Sequence, residues 1–269
     1  MRARVKYNIS DSTIDGETAN WRRSLYDEWM PKVRVPMASE SFQRLPRNAA
    51  YTYEYLEGAA VLSPRPRTYH ASLDLTRAIP TELQASAVDY DVVPLMPTDA
   101  EALAQLFAGA FERTQPFAGL TIEERIEAAA VCLQRTFQGH DGPWVAEASF
   151  LLRSRSEGKL VGAILVTLLP QSDPADISAY EWLDAPPSDL WTKGQGQPHL
   201  TWIFTHAWHK GVGIGTRLLA ATTTRLREQG FASLLSTFIV GNDSSQLWHW
   251  RNGFELVPSI TSKRPRLKT

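Results

Sequence analysis

Periodicity along the chain predicts a mixed α/β protein of the α+β kind, and three observations carry that expectation. From residue 86 to residue 258, short apolar or alternating runs of strand character interleave with stretches of helical period. A glycine-rich run, Gly211-Val212-Gly213-Ile214-Gly215, falls where a β-like run (200–205) gives way to a helical one (218–226). The first 85 residues differ in texture, with a hairpin signature and little helical period. Two parts are therefore expected: an amino-terminal β-rich extension over 1–85 and a domain over 86–269, interrupted by an insertion at 170–198.

Length and composition narrow the function. A chain of 269 residues buries a full core. With 43% apolar residues, 21% charged and a formal net charge of −1, it carries no basic excess to recruit nucleic acid. The clustered Lys263, Arg264, Arg266 and Lys268 read as a solvated end. A single cysteine, Cys132, excludes an internal disulfide and fits a reducing compartment. No apolar run reaches the roughly 18 residues of a membrane span, and the first turns lack a signal-peptide core. The expectation is a cytoplasmic protein that binds neither membrane nor nucleic acid.

Taken in order, residues 1–50 have little period and are broken by Pro31, Pro36 and Pro46. Tyr51 to Leu56 and Ala59 to Leu62 flank Glu57-Gly58 as a hairpin, and 69–75 alternates as a third strand. Three strands without a helix bury little, so this portion packs onto the carboxy-terminal domain or onto a second subunit, as in a homodimer. Residues 91–96 form a short apolar run. Thr98 with Glu101 predicts a capping box for a helix bearing Leu103, Leu106, Phe107 and Phe111 on one face, and Thr121 with Glu124 predicts a second. That second helix carries Ile122, Ile126, Ala129, Ala130, Leu133 and Phe137, with Cys132 beside them as a small packed residue. Strands return at 146–153 and 160–169, the latter apolar throughout and so central in its sheet. The insertion at 170–198 holds five acids against Lys193, and its Trp182 and Trp191 favour an ordered flap over disorder. Then come a strand (200–205), the glycines, a helix stopped by Gly230, a strand (233–240), a helix (244–251) and a last strand (254–257).

The glycine run sits at an anion-binding junction, because the first N–H groups of a helix lack internal partners and side-chain-free residues admit phosphate oxygens. Its spacing is wrong for two nucleotide folds. The dinucleotide pattern needs its third glycine one residue later and an acid near residues 233–237, and no Lys-Ser or Lys-Thr follows for a triphosphate loop. What remains is a basic residue followed by x-x-G-x-G, in Lys210-Gly211-Val212-Gly213-Ile214-Gly215.

That loop resembles the acetyl-CoA loop of the GNAT superfamily of acyl-CoA-dependent N-acyltransferases. The order β-α-α-β-β-β-α-β-α-β from residue 86 is similar to that fold, and Asn242-x-x-Ser245 followed by Asn252-Gly253-Phe254 matches its terminal pattern. The resemblance covers about residues 86–258. It implies a mixed, mostly antiparallel, splayed central sheet flanked by helices. It also implies acetyl-CoA or another acyl-CoA as co-substrate, no metal, and an amine of a small molecule or peptide that attacks the thioester directly. In that frame Ile203, Phe204 and Thr205 pair with the pantetheine arm. The amides of Lys210, Gly211, Val212, Gly213, Ile214, Gly215 and Thr216 hold the pyrophosphate. Ser245 is placed with the cofactor-binding residues, and Asn242 either bonds the pantetheine or caps the last helix.

Where the family commonly keeps a tyrosine acid, seven residues after the Asn, this chain has His249. Its role is open between donating a proton to the departing sulfur and ordinary hydrogen bonding, while Trp248 and Trp250 are expected to pack. His199, His206 and Glu147 are the candidates for the base. The flap's acids point to cationic acceptors, and six of nine tryptophans between Trp182 and Trp250 point to apolar or aromatic ones. The departures from the family pattern leave an alternative, a catalytically silent acyl-CoA-binding module.

Overall fold

The computed structural model describes residues 32–46, 51–64, 68–77, 89–174, 180, 182–206 and 213–257. The expectations for Lys210, Gly211 and Val212, for 1–31 and for the basic end lie outside these residues.

A three-stranded antiparallel sheet opens the described chain. It comprises β1 (Val33–Pro36), β2 (Tyr51–Leu56) and β3 (Ala59–Pro64), in the order β1-β3-β2, with a short helix α1 (Ser39–Gln43) between the first two. The expected hairpin is present: Leu56 pairs with Ala59 across Glu57-Gly58, and Gly58 takes φ 74, where glycine has no Cβ penalty.

The main body is a seven-stranded sheet. Its strands are β4 (Thr68–Asp74), β5 (Tyr90–Pro94), β6 (Phe150–Ser154), β7 (Leu160–Leu169), β8 (Gln197–Thr205), β9 (Ser233–Ile239) and β10 (Glu255–Leu256). Across the sheet they run β10-β4-β9-β8-β7-β6-β5. Every described pairing is antiparallel except β8 with β9. Strand β4 precedes the division expected at residue 86, yet it pairs with β9 over seven positions and carries β10 on its other edge. The third amino-terminal strand therefore packs into the sheet of the carboxy-terminal domain.

Four helices flank this sheet: α2 (Ala100–Ala110), α3 (Ile122–Phe137), α4 (Ile214–Glu228) and α5 (Asp243–Arg251). Strand β7 is buried from its second residue onward, and alternate side chains feed two cores. Ile164, Val166 and Leu168 join Leu218, Leu219 and Leu226 of α4, while Ala163 and Leu165 join Leu103 and Phe107 of α2 and Leu133 of α3. Each fully buried leucine contributes roughly 1.5–3 kcal/mol of transfer free energy. Arg125 of α3, itself buried, ties the helix pair together by donating Nε to the Ala108 carbonyl (3.0 Å) and Nη1 to that of Leu120 (2.6 Å).

Local capping departs from the sequence pattern once. Thr121 and Glu124 form the expected reciprocal box on α3. Thr98 and Glu101 do not cap α2: Pro97–Asp99 makes a 3-10 turn instead, with the Asp99 carboxylate accepting from Met96 N–H (3.0 Å) and pairing with Arg153 (3.0 Å). Proline's fixed φ favours that tight turn, and the helix starts after it. The strand expected from 146 also starts late. Ala146–Ala148 is a 3-10 turn, because the Ser149 hydroxyl donates to the Val145 carbonyl (2.7 Å) and accepts from Val166 N–H (3.1 Å).

No helix among the described residues is long and apolar enough to cross a membrane.

Candidate active site

Strands β8 and β9 touch for only two parallel pairs, His199 with Leu235 and Leu200 with Ser236, and then part. A bulge starts the divergence. On the β7 side the register passes from Leu165–Trp202 to Val166–Leu200, which leaves Thr201 as the extra residue of β8. Beyond Leu200 the edge of β8 turned toward β9 has no strand partner among the described residues, and Thr201 to Thr205 line a cleft there. A cavity of about 520 Å³ fills that cleft.

Elements from both halves of the sheet line it. Ile203, Phe204 and Thr205 come from β8, Gly213 to Thr216 from the start of α4, and Asn242, Ser245 and His249 from α5. The described cofactor candidates thus converge on one cavity. Gly213 sits at the entry to α4 with φ 82, a backbone state that only glycine adopts without strain, and the first bond of the helix runs from Arg217 N–H to its carbonyl. The amides of Ile214, Gly215 and Thr216 precede that bond and have no intrahelical acceptor, and all three residues line the cavity. Among the described residues on this wall the one permanently charged side chain is Arg251, and none is a carboxylate.

Trp248 packs against the start of α4. Its Nε1 is buried without a hydrogen-bond partner among the described residues, and a Cβ on Gly215 would sit 2.7 Å from it. An indole N–H buried this way loses its water and gains nothing in return. Trp250, expected to pack, is 75% exposed, because it follows Trp248 and His249 around the helix and away from the core.

His249 is 3% exposed and locked. Its Nδ1 lies 2.7 Å from the Ser245 carbonyl, which can only accept, so Nδ1 carries the proton and Nε2 is the acceptor, 2.7 Å from the Ser236 hydroxyl. The ring stacks on Phe238 at 4.3 Å and 22°. Burial pulls its pKa down to about 4 against the opposing hydrogen bond to Ser245. The imidazole is therefore neutral at pH 7 and holds no proton aimed at the cavity.

Of the base candidates, His199 is linked to the cavity and the other two are not on its described wall. Its Nδ1 meets Thr201 Oγ1 (3.2 Å) and its Nε2 meets Thr237 Oγ1 (3.1 Å), and Thr237 continues to His70 Nδ1 (3.1 Å). Thr201 and Thr237 line the cavity. Burial, and then the neighbouring His70, lower the His199 pKa to about 4. Glu147 is exposed on the 3-10 turn before β6, and His206 follows β8 with its N–H on the Val161 carbonyl (2.8 Å). Asn242 is a helix cap: its Oδ1 accepts from Ser245 N–H (3.2 Å) and Ser244 Oγ (2.9 Å).

Sequence patterning did not single out Ser236, nor the wall formed by Phe111, Phe117 and Trp202. A polar residue inside Leu234-Leu235-Ser236-Thr237-Phe238 was the available signal for the first; the second needs α2 to be laid against β8. The described part of the 170–198 segment does not line this cavity. Leu190 and Trp191 face a separate one of about 310 Å³, Trp182 donates to the Leu168 carbonyl (2.9 Å), and Trp191 stacks on Phe231 (5.6 Å). Asp189 pairs with Lys193 at 2.6 Å. Cys132 is buried with its thiol pushed up to about 12 by desolvation, which makes it an inert packed residue. No group of three metal-ligating side chains occurs among the described residues.

Residues 103–254 match the model of the acetyltransferase (GNAT) family, more than half of the chain's 269 residues. No curated protein matches the sequence. Among solved structures, the chain is similar to a GCN5-related N-acetyltransferase from Sphaerobacter thermophilus at 15% identity and a TM-score of 0.46, over 84% of this chain and 56% of that one. It thus spans little more than half of that protein's length. It is also similar to a ribosomal-protein-alanine N-acetyltransferase from Brucella melitensis biovar Abortus (18% identity, TM-score 0.37, 60% of this chain and 89% of that one). A third is the PaiA N-acetyltransferase from Thermoplasma acidophilum in complex with coenzyme A (16% identity, TM-score 0.41, 65% and 95%).

Proposed function

Because the chain belongs to the acetyltransferase (GNAT) family, we propose that it transfers an acetyl or other acyl group from an acyl-CoA to an amine of a small molecule or peptide. The observation that carries this proposal is the cavity where β8 and β9 part, with the α4 amino terminus at one side and an aromatic wall at the other.

The residues present suit the co-substrate. A pantetheine arm carries amides, and the unpaired edge of β8 over Ile203 to Thr205 offers complementary peptide groups at strand spacing. The pyrophosphate suits the amides of Gly213 to Thr216 and the positive end of the α4 dipole. The buried Trp248 N–H beside Gly215 supplies a further donor. Bound there, the acyl-CoA brings an activated carbonyl and a good leaving group, and β8 amides beyond Leu200 polarise that carbonyl as its oxygen becomes negative.

The amine attacks the thioester directly and must arrive or become unprotonated. The hydroxyl and imidazole chain from Thr201 through His199 and Thr237 to His70 is the route we assign to its proton. The acceptor end is walled by Phe111, Phe117 and Trp202, with no carboxylate among the described lining residues. That lining favours an amine with an apolar or aromatic body over a polycation.

Two measurements test this. Acetyl-CoA or CoA at a hundred times its Kd raises stability by about 2.7 kcal/mol, read as a higher melting temperature. An amine panel with acetyl-CoA then releases CoA thiol, fastest with aromatic and apolar primary amines. Stabilisation without thiol release on any amine would replace catalysis with the silent binding module, and absence of both would remove the proposal. Polycationic amines reacting best would overturn the acceptor class alone.

A further inference from the structure

We propose that Ser236 is itself an acyl acceptor: with no amine in the cavity, its hydroxyl takes the acyl group from the thioester, with His249 as the base, and water then releases it. This rests on acyl-CoA binding in the cavity described above. It adds an acyl-CoA hydrolase activity, run through an acyl-serine, to amine acylation.

The placement is specific. Ser236 occupies the last paired position of β9 against Leu200, at the vertex where the two strands separate, and it lines the cavity. Its Oγ lies 2.7 Å from His249 Nε2. The Nδ1–H of that imidazole is fixed by the Ser245 carbonyl at 2.7 Å, and the ring is held by Phe238 on its face and Phe254 at its edge (4.8 Å). Nucleophile, base and orienting acceptor thus stand in line, the arrangement that activates a serine. A carbonyl takes the place of the usual carboxylate in holding the tautomer. Neighbouring Thr237 is a weaker candidate: it is a secondary alcohol, and it lies 3.1 Å from both His70 and His199.

The steps balance. Ser236 Oγ attacks the thioester carbonyl while its proton passes to His249 Nε2. The C–S bond breaks, the sulfur takes that proton from Nε2, and CoA leaves as the thiol with the acyl group on Oγ. Water then attacks the ester, giving one proton to Nε2, which returns it to Ser236 Oγ as the carboxylic acid departs. The net reaction consumes one thioester and one water and yields one acid and one thiol. Burial that keeps the imidazole neutral leaves its lone pair available at pH 7.

The test uses the full chain with acetyl-CoA and no amine. Expected are a burst of CoA thiol of about one equivalent per chain, slower steady release, and an intact-mass gain of one acetyl group that maps to the peptide containing Ser236. Ser236→Ala loses the adduct, and amine-independent release falls roughly a hundredfold or more. Ser236→Cys restores an adduct that hydroxylamine cleaves as a thioester. His249→Gln slows adduct formation without moving it to another residue. Thermal stabilisation by CoA checks that each variant is folded and binds. Amine acylation that proceeds with no burst and no adduct, or an adduct mapped elsewhere, overturns this proposal and leaves the acyltransferase standing. Absence of CoA binding and of transfer to any amine overturns both.

Discussion

Gly215 shows how one missing side chain shapes the site. Its place in the glycine run reads as room for phosphate oxygens, and the structure adds a second neighbour, Trp248, whose Nε1 would stand 2.7 Å from an added Cβ. Gly215→Ala is therefore expected to push the indole or the first turn of α4, at a cost of about 1–3 kcal/mol from overpacking. Titration calorimetry with CoA should show an affinity loss of about tenfold or more, and unchanged affinity would contradict pyrophosphate binding at this turn. Gly213→Ala would act through its φ of 82 instead, since a Cβ there meets nothing within 4 Å. His249 is the matching case on the chemical side. Its register marked it as the position to watch, and the structure shows both ring nitrogens occupied, which turns attention to the Ser236 hydroxyl.

At the scale of elements, most of the order from residue 90 onward was legible because periods of 2 and 3.6 separate cleanly there. Strand β7 and helices α3 and α4 are clear cases. The two misplaced starts, at Ala100 and Phe150, were decided by short polar side chains, Asp99 and Ser149, that bond the backbone more tightly than the expected caps and ladders. Strand β4 carries the sharper lesson. Its alternation announced a strand, while its neighbours β9 and β10 come from the far end of the chain. Ala71, Leu73 and Leu75 enter the main core, and Arg227 of α4 holds the Leu75 carbonyl at 2.5 Å. A chain beginning at residue 86 would strip β9 of seven pairings and expose a hydrophobic edge. Expression of 86–269 should give aggregated protein, whereas 65–269 should stay soluble with cooperative melting. A soluble, cooperatively melting 86–269 would show β4 to be dispensable.

The whole molecule carries a pH dependence set by its buried imidazoles. His199 and His249 each stay neutral in the fold down to about pH 4, while an unfolded histidine takes a proton near 6.5. The unfolded state therefore binds more protons below 6.5. Stability is complete above that value and falls as the pH drops toward 4, by about 1.4 kcal/mol per pH unit for each histidine. The melting temperature should decline from pH 6.5 to 5, before the depressed carboxylates of Asp74, Asp91 and Asp189 titrate. Replacing His249 by Gln should lessen that slope by one proton, and a slope equal to the parent's would remove its share. The same scale separates two kinds of information. Local periodicity was enough for the fold class, because period is a property of adjacent residues. The sheet order, the Ser236–His249 contact and the aromatic wall depend on residues brought together from distant segments. Such contacts are settled by packing and strand register, which decide what each side chain meets.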